Sequence, residues 1–245
     1  MSYIGISGTR AREECELLLC MNQIPQKVVF GVLTNNKLLN NSNNRNCSGR
    51  YTLTSAIKDV YIKSNKVLNF VYYASNDQNS LADDLERVVR LGGSKLNGIQ
   101  ISCDWPKQSV LIDFKEKYPN IKLALSLDQK TIGKLKNDNF LLAQKVKKYA
   151  QIVDFIVLDF QGVSLNEANV RKIYKFVKLF RDNFKNDIII SADFNETNVE
   201  MVKLVVRDFS AIGLNTENGI RNYNDYIDLG KMQNFILKAS EVLSG

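Results

Sequence analysis

Histidine is absent from all 245 residues. Its absence removes Ser-His-Asp and Cys-His catalysis and every His-ligated metal site, so acid–base chemistry falls to carboxylates, Lys, Tyr or Cys. Cys15, Cys20, Cys47 and Cys103 form no C-x-x-C pair, which excludes a zinc ribbon and suggests no disulfide framework. Reduced thiols are expected. No apolar run approaches the roughly 18 residues that span a bilayer. Met1 leads straight into Tyr3-Ile4-Gly5-Ile6-Ser7-Gly8, without the charged start and apolar core of a signal peptide. A cytoplasmic protein with no membrane partner is the expectation. No phosphate loop of the G-x-G-x-x-G or G-x-x-x-x-G-K kind follows any predicted strand, and no cofactor or metal is expected.

What the chain does contain is a repeated unit. Val153-Asp154-Phe155-Ile156-Val157-Leu158-Asp159-Phe160 is apolar almost throughout, yet Asp159 stands near its far end, where a buried parallel strand opens into a loop. Other short apolar runs end the same way. Strands of this kind, alternating with helices over a length close to the roughly 250 residues typical of the class, predict a single (β/α)8 TIM barrel covering residues 1–245. The 44% hydrophobic content suits its core. The net charge of +7 sits on segments such as Lys145, Lys147, Lys148 and Lys172, Lys175, Lys178, Arg181. These read as solvated outer helix faces, so no nucleic-acid partner is expected.

In chain order the predicted strands are Tyr3–Gly8, Lys27–Thr34, Val67–Ala74, Gly98–Asp104, Ile121–Leu127, Val153–Phe160, Asp187–Ala192 and Ala211–Thr216. Helices are expected over about Arg12–Met21, Thr54–Ser64, Asp77–Leu91, Lys107–Tyr118, Glu196–Arg207 and Tyr226–Leu243. Another runs from a capping box at Ser164-Leu165-Asn166-Glu167 to near Asn183. The Asn-rich stretch 35–50 reads as a long loop, with its centre a candidate for disorder.

Side chains alternate along a strand, and in a barrel the bulky apolar set meets the helices while the small and polar set faces the axis. That rule sends Ser7, Gln100, Asp104, Ser126, Asp128, Asp159, Asp193, Asn215 and Glu217 towards one mouth. Ser-x-Asp closes three of the strands. Such a ring of acids repels itself unless a cation, a polyol or an amine lies between them or some are protonated. Asp159, above Phe155 and Val157, is the expected protonated member. The bland reading is that Asp104, Asp128 and Asp193 simply cap helices or hold turns.

From end to end these segments resemble the phosphoribosylanthranilate isomerase family. Tyr3-Ile4-Gly5-Ile6-Ser7-Gly8-Thr9 resembles its opening K-I-C-G-[LI]-T, and Ser48-Gly49-Arg50-Tyr51 its S-x-R-Y. Gly98-Ile99-Gln100-Ile101 is similar to its A-V-Q-L-H-G strand, and Ile156-Val157-Leu158-Asp159 to the strand ending in its catalytic Asp. Phe194-Asn195-Glu196-Thr197-Asn198-Val199 resembles G-L-N-P-E-N-V, and Lys231-Met232-Gln233-Asn234-Phe235-Ile236 its closing helix. The resemblance implies an Amadori-type aldose-to-ketose isomerisation, with Ser7 in the place of the general-base Cys and Asp159 as general acid. It also implies a small polar, sugar or sugar-phosphate-like ligand, with Arg50 among the ligand-binding residues, and a monomer or homodimer. Ser7 is not a thiol, and Asp193 and Glu217 stand where the family's glycine-rich turns meet phosphate. Efficient phosphoribosylanthranilate isomerase activity is therefore not expected. A second likeness is to chitinase-type glycosidases with D-x-x-D-x-D-x-E. Asp154-Phe155-Ile156-Val157-Leu158-Asp159-Phe160-Gln161 resembles that signature with Val157 and Gln161 replacing two acids. A degenerate carbohydrate-binding barrel and a non-catalytic scaffold are the alternative readings.

Overall fold

The computed structural model describes residues 2–21, 24–40, 49–75, 77–135 and 138–245. Its strands are β1 (Tyr3–Ser7), β2 (Lys27–Asn35), β3 (Val67–Ala74), β4 (Gly98–Ser102), β5 (Lys122–Asp128), β6 (Phe155–Asp159), β7 (Asp187–Ser191) and β8 (Ile212–Thr216). They pair in parallel in sequence order, and β8 closes on β1. Around them run α1 (Arg12–Glu16), α2 (Asn36–Asn40), α3 (Ile57–Val60), α4 (Leu81–Gly92), α5 (Gln108–Lys117), α6 (Gln129–Gly133), α7 (Asn139–Tyr149), α8 (Glu167–Arg181), α9 (Lys203–Asp208) and α10 (Leu229–Ser244). The chain is a (β/α)8 TIM barrel. Among the described residues no helix is long and apolar enough to cross a membrane.

Closure divides the apolar residues into two cores. Ile4, Ile6, Val28, Phe30, Ile99, Leu125, Ile156 and Ile190 point outwards and pack under the helices. Tyr3, Val29, Leu68, Phe70, Tyr72, Phe155, Val157 and Ile189 point inwards and form a separate plug along the axis. The plug is aromatic at its base: Tyr3 meets Phe155 edge-on at 5.3 Å between ring centroids, and Phe70 meets Phe155 at 6.1 Å. Gly98 sits beside Phe70 in the ladder, and a Cβ there would lie 2.3 Å from the Phe70 ring. The missing side chain is the space the ring occupies.

Several helices are shorter than their periodicity suggests, because local side-chain bonds compete with the helical ladder. The first ends at Glu16 and gives way to a 3-10 turn over Leu17–Cys20; the second is reduced to α3 after a 3-10 turn at Thr54–Ala56. The helix expected from Asp77 starts at Leu81, since the Asp77 carboxylate accepts from the Asn79 N–H at 2.8 Å and holds a turn. The capping box at Ser164 is displaced by two residues: Asn166 is the N-cap, accepting from the Asn169 N–H at 3.0 Å. After β7, Asn195 accepts from the N–H groups of Thr197 and Asn198, so helical structure begins only with the 3-10 turn at Val199. Within the stretch 35–50, residues 36–40 form α2 rather than loop, and 41–48, with Cys47 and Ser48, lie outside the described residues.

Replacing Gly98 by Ala forces a methyl group against a ring already wedged on Phe155, and overpacking of this kind costs on the order of 1–3 kcal/mol. Denaturant unfolding of Gly98→Ala should show that loss. A change within about 0.5 kcal/mol would mean that Phe70 can turn aside and that the plug is not tightly packed.

Candidate functional site

One row of the closed ladder sets the site. Asp128 pairs with Asp159, Asp159 with Ser191, Ser191 with Asn215, and Asn215 with Gly5. The row lies just above the aromatic plug and turns the interior from apolar to polar. Asn215 is its hub. The Ser7 hydroxyl lies 3.1 Å from Asn215 Oδ1 and 3.0 Å from Nδ2, the Tyr72 hydroxyl donates to Oδ1 at 3.2 Å, and Nδ2 donates to Ser191 Oγ at 2.9 Å. Gly5 makes this hub possible, for a Cβ there would lie 2.3 Å from Asn215 Oδ1. The Gln161 amide continues the chain with Oε1 facing Ser191 Oγ at 3.1 Å and Nε2 facing Asp193 Oδ1 at 2.7 Å.

Above this floor is a cavity of about 190 Å³. Of the residues expected at the mouth, Ser7, Gln100, Asp159, Asn215 and Glu217 line it, together with Ser102, Ser191, Tyr51 and Tyr72. Gln100 is 9% exposed, and among the described residues its side chain has no hydrogen-bond partner, so its amide faces the cavity open-handed. Asp159 accepts one hydrogen bond, from the Gln161 N–H at 3.0 Å. Burial raises its pKa to about 6; the Gln161 N–H offsets part of that rise, while Glu217, Asp128 and Asp193 push it further up. At pH 7 the carboxyl is therefore mostly ionised, not the protonated member expected from the sequence, although it titrates just below neutrality.

The other acids do not enter the cavity wall. Asp128 caps α6, accepting from the Thr131 N–H at 2.6 Å. Asp104 lies past the end of β4, where strand alternation no longer applies. It accepts from Thr131 Oγ1 at 2.7 Å and pairs with Lys134, which together lower its pKa. Asp193 sits behind Gln161 and accepts from Gly162 N–H at 3.1 Å and Asn218 Nδ2 at 2.7 Å. Ser126 points inwards but is buried below the cavity, its hydroxyl without a protein partner. Arg50 stands at the rim behind the lining: its Nη1 donates to Glu217 at 2.7 Å and its Nε lies 2.9 and 2.7 Å from the two carboxylate oxygens of Asp225.

Tyr72, Ser191 and Gln161 belong to the site although the candidate set omits them. Ser191 was legible as the Ser of Ser-x-Asp. Tyr72 carried a fainter signal, an inward strand position facing Gly31, where a Cβ would meet its ring at 2.5 Å. Gln161 follows its strand and gave none.

No protein-family model matches the chain, and no curated protein sequence matches it. Solved structures do. The phosphoribosylanthranilate isomerase of Thermotoga maritima is 15% identical, with 98% of this chain and 100% of that one covered at a TM-score of 0.65. That of Thermus thermophilus is 10% identical, covering 99% and 100% at 0.64. The tryptophan synthase alpha subunit of Campylobacter jejuni follows at 14% identity, covering 97% and 95% at 0.56. At these identities the likeness establishes the fold alone, the (β/α)8 barrel expected from the sequence, shared end to end with these isomerase structures.

A carboxyl whose pKa is raised on folding stabilises the folded state only while it is protonated. Its penalty sets in as pH rises from the unfolded value near 4 through about 6. Asp159→Asn removes a penalty on the order of 2–3 kcal/mol above that window. Thermal unfolding at pH 7 should find the variant as stable as the parent or more so, with the advantage gone near pH 4. A large loss at pH 7 would identify Asp159 as a satisfied structural carboxylate.

Proposed function

We propose that this isomerase-like barrel binds a small, hydroxylated, sugar-like molecule in the mouth cavity, with Asp159 as the group that exchanges a proton with it. The observation that supports this most is the presence in one polar lining of the Gln100 amide, unpartnered among the described residues, and the buried Asp159 carboxyl. The cavity is smaller than the roughly 300–1,000 Å³ of drug-sized sites, which favours a compact ligand. Its hydroxyl and amide lining offers both donors and acceptors, as a polyol requires. Proton exchange by a single carboxyl suits an aldose–ketose isomerisation, the reaction class to which the Asp159 strand is akin.

We further propose that the chain is not an efficient phosphoribosylanthranilate isomerase. The Ser7 hydroxyl is far too weak an acid to supply a thiolate-like base, and it is tied to Asn215. The Gly162 N–H, a backbone donor of the kind that cradles phosphate, is already bonded by Asp193, whose charge opposes a second anion.

Two measurements test these readings. A thermal-shift panel of sugars, sugar phosphates and amines should contain a stabilising ligand, since specific binding raises stability by RT ln(1 + [L]/Kd); silence across the panel would favour a scaffold. Turnover of phosphoribosylanthranilate should be at or near background and rise in Ser7→Cys, which supplies an ionisable thiol. Robust turnover by the unmodified chain would overturn the second reading.

A further inference from the structure

The charges around the cavity do not balance. Among the described residues its lining contains two carboxyl groups, Asp159 and Glu217, and no lysine or arginine. Glu217 has Arg50 as counter-ion, but Arg50 is shared with Asp225. Asp159 has no ion pair. The charged groups that act on it from the neighbouring elements are Asp128 at the end of β5, Asp193 after β7 and Glu217 after β8, all of one sign. Arg221 lies outside the lining, its guanidinium donating to the carbonyls of Ser7, Gly8 and Asp225, and it adds a second positive charge near Glu217 and Asp225, so the carboxyl left uncompensated is Asp159. No group of three or more carboxylates and thiols among the described residues converges closely enough to hold a metal ion. The carboxyl left without an ion pair among the described residues is Asp159, and a ligand with a compact cationic donor group suits it.

We infer that the ligand is an amino-polyol: a protonated primary amine held at Asp159 and Glu217, with its hydroxyl groups on Gln100 and Ser102. This rests on the ligand-binding reading above and names the class of molecule. The division of labour follows from the chemistry of the wall. An ammonium has three donors and no acceptor, which matches carboxylate oxygens left without donors. The Gln100 amide and the Ser102 hydroxyl, neither with a side-chain partner among the described residues, both give and accept and so suit hydroxyls. An anionic or phosphorylated ligand would meet the Asp159 and Glu217 carboxyl groups of the lining with no lysine or arginine beside them there.

Calorimetric titration of the intact chain with glucosamine, mannosamine and galactosamine, beside glucose, mannose, galactose and glucose 6-phosphate, tests the inference. At least one hexosamine should bind about tenfold or more tightly than its parent sugar at pH 7, the size of a charge-assisted bond. Because protonation of Asp159 removes the partner, that affinity should fall about tenfold between pH 7 and pH 5 while the parent sugar changes little. In Asp159→Asn and in Glu217→Gln the preference should shrink to within about threefold, two variants guarding against misfolding of either. A parent sugar that binds as well as its hexosamine would overturn the amine inference and leave the sugar-like reading standing. So would tighter binding of glucose 6-phosphate, or a preference that survives in both variants. Binding by no member of the panel would overturn both readings.

Discussion

Closing an eight-stranded sheet on itself leaves every strand with one face that must meet helices and one that must meet the other strands across the axis. Everything else in this molecule follows from that division. The outward face takes Ile, Val, Leu and Phe and is uniformly buried. The inward face has too little room for large side chains on all strands at one level, so it alternates bulk with gaps, Phe70 over Gly98 and Asn215 over Gly5. Where the plug of aromatic rings ends, the next inward row is polar, and the cavity begins there.

The same constraint explains why the fold was readable and the site only partly so. Strand faces are set by a period of two, so Ser7, Gln100, Asp159 and Asn215 could be placed on the axis from their neighbours in sequence. Past a strand end the rule no longer binds: Glu217, one residue beyond β8, still lines the cavity, whereas Asp104, two beyond β4, does not. Asp104 lies beyond Ser102, where Trp105 takes a positive φ of 45° and turns the chain, and Asp104 consequently meets Lys134 instead of the cavity. Asp128 is still within β5, yet its carboxylate is drawn to the free N–H groups of the helix that starts immediately after it. Helix boundaries failed for a related reason: apolar spacing reports which face is buried, while Asn166, Asn195 and Asp77 decide where the ladder starts.

Charge at the site is organised in two grades. Asp104, Asp128 and Asp193 are each bonded by side-chain or backbone donors outside the cavity, which holds them at the rim. Asp159 is buried, with one backbone donor and three acidic neighbours, and chiefly because of that burial its affinity for a proton rises.

The rim is also unequal in stiffness. Arg10 donates to the Tyr51 carbonyl at 2.8 Å, Arg50 joins Glu217 to Asp225, and Arg221 reaches the carbonyls after β1, so three arginines stitch the arc from β8 through β1 to β2. On the other side, a second and more open hollow of about 430 Å³ borders the cavity, sharing Ala74 and Ser102 at the ends of β3 and β4. The stitched arc ties one side of the rim and the hollow extends the cavity on the other, so substitutions at the ends of β3 and β4 reshape the open space without touching Asp159.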